Sequence, residues 1–165
     1  MRREHLRLVS ADSFSKERER LCKEGFACRV LRTHGVESEH GLMVAIRSSL
    51  PLDPAWGSDV PARINWDSIL DRISGGFYIG DNPSAKVVLL WEGAVDVESW
   101  SPRVFADLLY LMGDVIERVA GEGVTLEVLV HHEDSRLFDA LPDIGPQDFD
   151  AWRASVVLPP PRGRC

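Results

Sequence analysis

Two aspartates four residues apart, Asp67 and Asp71, sit in the segment Asn65-Trp66-Asp67-Ser68-Ile69-Leu70-Asp71-Arg72-Ile73. Asn65 suits a helix N-cap, and residues at i and i+4 share a helix face, so the spacing predicts two carboxylates side by side. Like charges so placed repel by about 0.2–0.5 kcal/mol, a penalty that a docked cation would remove. That makes the pair a candidate electrostatic contact for a positively charged partner. The plainer reading is a first-turn acid favoured by the helix dipole followed by a solvated surface charge.

Other groupings hold reactive residue types but lack the spacing that chemistry needs. His131-His132-Glu133-Asp134 offers imidazoles and carboxylates, yet adjacent histidines project differently and no motif places a third metal ligand. The segment is expected to be a solvated strand end. Gly75-Gly76-Phe77-Tyr78-Ile79-Gly80 lacks the Gly-Lys-Ser/Thr ending of a phosphate cradle and precedes a loop rather than opening a helix; it is expected to end a helix. No serine stands in a nucleophile-elbow pattern, and Cys22 and Cys28 carry no catalytic signature. No enzyme activity, cofactor or metal is therefore expected. Cys22 and Cys28 are expected to be small buried hydrophobes and Cys165 a free thiol, as suits a reducing compartment.

The elements that would position these residues follow from hydrophobic pattern. His5 to Val9 alternates weakly, and Lys16 to Glu24 is a charged helical stretch stopped by Gly25. This unit reads either as an edge strand with a helix or as a mobile arm. Phe26–Leu31 is a better strand, and a helix from about Glu37 to Leu50 places Leu42, Ala45, Ile46, Ser49 and Leu50 on one stripe. Pro51 and Pro54 stop it. A loop rich in Pro and Gly carries Trp56 and Gly57 and leads to the Asn65 helix, which Gly75-Gly76 would end, with a loop from Phe77 to Ala85. Lys86 to Trp91 is a nearly continuous apolar run, the pattern of a central strand covered on both faces. Ser101-Pro102 starts a long helix that Gly121-Glu122-Gly123 ends, and Val124–Val130 is a last strand. Strands alternating with helices imply an α/β fold, a small mainly parallel sheet flanked by helices. The chain turns polar from Glu133, with a short helix at Asp148–Ala154 and a disordered end from Pro159 to Cys165.

The chain has 165 residues and a net charge of −7, with 44% hydrophobic and 27% charged side chains, the composition of a globular protein. No apolar run approaches a membrane span, and no apolar stretch follows Met1–His5, so the cytoplasm is the expected location. Residues 1–50 are net +3, whereas 51–100 and 101–165 are each −5. An acidic body disfavours direct contact with nucleic acid, which needs clustered Lys and Arg. It suits a basic protein, whose approach its field would steer.

The succession of a turn at Gly35, a helix, a Pro54-Ala55-Trp56-Gly57 loop, the Asn65-Trp66-Asp67 helix, a strand, a long helix and a final strand resembles the barstar family of intracellular ribonuclease inhibitors. The resemblance covers about residues 26–131, with residues 1–25 and 132–165 as extensions. In that family the acidic helix and the aromatic loop before it plug a ribonuclease active site, the acids taking the place of substrate phosphates. The resemblance implies that Asp67 and Asp71 are the two helix acids, that Trp56 and Gly57 are the loop pair, and that Ser74 and Gly75 are the polar-glycine pair. Leu70 stands where the family has an aromatic, Ser58 to Arg63 is inserted before the helix, and Arg118 falls where the founding member uses a glutamate, with Glu117 beside it. The expectation is an inhibitor that occludes a basic ribonuclease or toxin. The alternatives are an immunity protein for a toxin that is not a ribonuclease, and a small α/β enzyme or ligand-binding domain using Gly75–Gly80.

Overall fold

The computed structural model describes residues 4–79, 86–142, 151, 154 and 155. Its elements are β1 (Leu6–Val9), α1 (Ala11–Lys23), β2 (Ala27–Arg32), α2 (Glu39–Ser49), α3 (Trp66–Ile79), β3 (Lys86–Glu92), α4 (Ala94–Trp100), α5 (Pro102–Gly121), β4 (Thr125–His131) and α6 (Arg136–Ala140). The four strands form one sheet in the order β1-β4-β3-β2. Every pairing is parallel, with Ala27 opposite Val87, Leu89 opposite Val128 and Leu8 opposite Val130. The apolar run of β3 is thus central, as its composition predicts. Val88, Leu89, Leu90 and Trp91 are fully buried.

The two sheet faces are covered unequally. Val88, Leu90 and Leu129 pack with Phe14 and Leu21 of α1. The opposite face carries the larger core, with residues of α2, α3, α5 and α6 around Leu31, Leu89, Trp91 and Val128. The N-terminal unit, read from sequence as either a strand and helix or an arm, supplies the edge strand β1 and the cover helix α1. Where Trp91 is buried, its indole N–H donates to Thr33 Oγ1 at 2.8 Å, and the Thr33 hydroxyl donates to the Glu92 carbonyl. A buried indole is tolerated only with such a partner.

Several helix starts follow from their caps. Asn65 Oδ1 accepts from the Ser68 amide at 3.0 Å, and Ser101 Oγ accepts from the Val104 amide with Pro102 at the first helical position. Two expectations fail. Gly75 and Gly76 do not end α3, which continues to Ile79. A Cβ on Gly75 would run into the Asp53 carbonyl and one on Gly76 into the Pro51 carbonyl. The glycines admit the 51–53 backbone against the helix, and packing overrides their poor helix propensity. Cys22 and Cys28 are not separate buried hydrophobes: they form a disulfide, with Cys22 exposed. Gly25, at φ 88°, turns the chain so that the last turn of α1 faces the start of β2. The loop expected from Phe77 to Ala85 is helical through Ile79; its remainder, 80–85, and the proline-rich end from Pro159 lie outside the described residues. So does the 148–154 helix, except for helical Ala151 and Ala154.

Candidate functional site

The site is built on the outer side of α3. Ile69, Ile73 and Phe77 anchor that helix in the core, which turns Asp67 and Asp71 outward, and both are exposed. Asp71 does not stand alone. Its Oδ1 lies 2.5 Å from Nη1 of Arg118 on α5, with the two side chains 67% and 50% exposed. The cation that relieves the acidic pair is therefore supplied by the same chain. Asp114, one turn earlier on α5, is half-buried. Burial pushes its carboxyl up to about 6, the negative charge of Glu117 adds to the shift, and Arg118 partly offsets it. The sequence expectations did not include Asp114. Its i, i+4 spacing from Arg118 was the available signal.

The loop before the helix is held by Arg72. Its guanidinium lies over the Trp56 ring, 5.6 Å from the centroid, while Nε donates to Ser68 Oγ at 3.2 Å and Nη1 donates to the Pro54 carbonyl. Such a contact is worth about 0.5–1 kcal/mol when exposed. The Asp53 amide donates to the Arg72 carbonyl. Trp56 is half-buried against the core and Gly57 is exposed. The inserted segment leans on α2 where Arg47 donates to the Ser58 carbonyl at 3.4 Å, and just after it the Ile64 amide donates to Glu39 at 3.0 Å. Asp67 and Asp71 stay uncovered.

The other residues assigned by resemblance divide. Leu70 is partly buried against the core. Ser74 is 2% exposed and Gly75 is buried beneath the 51–53 backbone, so neither offers a surface to a partner. The surface residues are thus Asp67, Asp71, Trp56, Gly57 and part of Leu70, with Arg118 added.

The histidine pair forms a different structure from the solvated strand end expected. His131 stacks on Phe14 with ring centroids 5.0 Å apart. His132 is 6% exposed, its Nε2 lies 2.6 Å from Glu98 Oε2, and its Nδ1 accepts from the Asp134 amide. Ser135 donates to Glu98 Oε1 at 2.9 Å. Both imidazole nitrogens of His132 and both carboxylate oxygens of Glu98 are engaged, which ties α4 to the turn after β4. Among the described residues, no group of three His, Cys, Asp or Glu side chains is placed to hold a metal ion, and no helix is long and apolar enough to cross a membrane. A cleft of about 290 Å³ between the end of α5 and the start of β4 is lined by His5, Ile116, Ala120 and residues 123–126.

No family model matches this sequence, and neither a curated protein nor a solved structure gives a match.

Proposed function

We propose that this chain is a binding protein whose α3 face docks on a basic protein, a nuclease or toxin, and occludes that partner's active site by charge and shape. The observation that carries the reading is the placement of Asp67 and Asp71: both point outward from a helix locked into the core, beside a loop that Arg72 clamps. Locked elements lose little entropy on binding, and exposed carboxylates on such a scaffold steer and hold a cationic site. The acidic charge of residues 51–165 supports the same partner class. A phosphate cradle around Gly75–Gly80 has less support, because Gly75 and Gly76 lie inside a helix and under backbone.

Arg118 favours one refinement. A partner meeting this surface encounters an Asp71–Arg118 ion pair rather than bare acids, so its docking site would present an acceptor for Arg118 beside its cations. This differs from the all-acid surface that the barstar resemblance implies and extends the partner class to toxins that are not ribonucleases. The test is affinity capture with the intact chain, identification of the retained protein, and an assay of its activity with and without the chain. Retention of a basic enzyme that loses activity on stoichiometric binding is expected. Capture of no protein by the parent that an Asp67→Ala, Asp71→Ala double variant fails to capture would overturn the reading.

A further inference from the structure

The Cys22–Cys28 bridge lies away from the α3 face, on the side of the sheet that α1 covers. We propose that it is a thiol–disulfide exchange site for low-molecular-weight thiols and disulfides, and that its redox state sets how firmly α1 is held over that face. The inference is independent of the proposed docking surface.

The holding of α1 is sparse. Of its thirteen residues only Phe14 and Leu21 are buried. The N-terminal half is fixed by Phe14 on His131, by the Ala11 amide donating to Glu133 Oε1 at 3.0 Å, and by the Arg7–Glu17 ion pair at 3.3 Å. The ion pairs Lys23 with Glu19 and Arg20 with Glu24 stay within the helix and its cap, while Arg20 also meets Glu17, the residue that Arg7 of β1 reaches. Among the described residues, what joins the last turns of α1 to the sheet is Leu21, the turn in which the Phe26 amide donates to the Leu21 carbonyl, and the disulfide. Beneath it lie the buried Val88 and Leu90. Opening the bridge removes the covalent tie and lets the last turns of α1 fray.

The two sulfurs differ in access. Cys22 is exposed in the last turn of α1, whereas Cys28 is half-buried beside Phe26 and Val30. Exchange proceeds by thiolate attack on the sulfur that can be reached. A reductant thiolate attacks Cys22 Sγ, the Cys22–Cys28 S–S bond breaks, and the electron pair leaves on Cys28 Sγ, which takes a proton. A second thiolate then attacks the reductant sulfur of the mixed disulfide and releases Cys22 as a thiol. The reductant ends as its own disulfide, so two electrons have passed to the protein. A disulfide such as oxidised glutathione runs the sequence in reverse. Exposed bridges are the labile ones, so the site responds to a glutathione pool.

The full chain, purified without reductant, is alkylated with iodoacetamide and weighed intact. Of the three cysteines, only Cys165 is expected to react; after dithiothreitol, all three should. With oxidised glutathione, Cys28→Ser should form a mixed disulfide on Cys22 about tenfold faster than Cys22→Ser forms one on Cys28, given the access difference. On reduction, hydrogen exchange of peptides over residues 16–28 should accelerate about tenfold while β3 and β4 peptides do not change. The Cys22→Ser, Cys28→Ser double variant should show the fast pattern with or without reductant. Alkylation of all three cysteines before reduction, equal glutathionylation of the two single variants, or unchanged exchange in α1 on reduction would each overturn the proposal.

Discussion

Arg118 on α5 lies 2.5 Å from Asp71 on α3, so the acidic face of α3 is met by a cation from its own chain. The pair is exposed on both sides, and exposed ion pairs contribute about 0–1 kcal/mol. Its consequence is therefore electrostatic rather than structural. It determines what charge a partner meets and what field Asp114 feels.

Arg118→Ala separates those effects. The melting temperature should move by no more than about 2–4 °C, as a change of at most about 1 kcal/mol implies for a chain of this size. The Asp114 carboxyl, released from the offsetting charge, should titrate above its value of about 6. Carbon-detected NMR titration of the side-chain carboxyl measures this. An unchanged Asp114 titration would mean that Arg118 does not act on it.

Asp114 should give stability a pH dependence of defined sign. The folded chain holds its proton up to about 6, against 3.8 for an ordinary aspartate. A raised folded value means that the stability conferred by the neutral carboxyl is fully present below about 3.8 and lost as pH rises through about 6. Asp114→Asn keeps the group neutral. Urea unfolding should find the variant more stable than the parent by about 1–2 kcal/mol at pH 7.5, from about 1.4 kcal/mol per unit discounted for partial exposure. The advantage should vanish near pH 3.5.

Gly76→Ala distinguishes packing from helix propensity. Propensity alone promises a gain of about 1 kcal/mol inside a helix. The Pro51 carbonyl stands where the new methyl would go, so the variant should instead lose about 2–4 kcal/mol in chemical denaturation. Gly57→Ala, with open space around it, should change stability by less than about 0.5 kcal/mol.

Legibility from sequence varied with the range of the interaction. The β3 run, the Ser101-Pro102 start and the Asn65 cap were readable because each is local, a burial pattern or a side chain bonding three residues ahead. The parallel order followed from strands alternating with helices. The helix α4 gave no such signal: it is seven residues long, and its N-cap is Gly93 in the left-handed region at φ 82°, with no side-chain cap. Gly75-Gly76 misled because the same residue that ends helices also admits a close backbone, and only the fold shows Pro51 and Asp53 against it. In the candidate site, the shared helix face of Asp67 and Asp71 was legible from the i, i+4 spacing. The burial of Ser74 and the pairing of Asp71 with a residue 47 positions away depend on how α3 meets α5, which periodicity does not encode.

The most direct test of the proposed docking surface is the affinity of the captured partner for the parent and for Asp71→Ala, measured by calorimetry at 50 mM and 300 mM salt. Asp71→Ala should fold as stably as the parent, because an exposed pair is all that it removes. At low salt it should bind at least about tenfold more weakly, the loss of about 1.4 kcal/mol or more expected when a partner's cation is left without its counter-charge. The parent's affinity should fall as salt rises, since charges more than about 10 Å apart are screened at 0.1 M, and the gap between parent and variant should narrow. Equal affinity of parent and variant at 50 mM salt would contradict the account and remove the α3 acids from the binding surface.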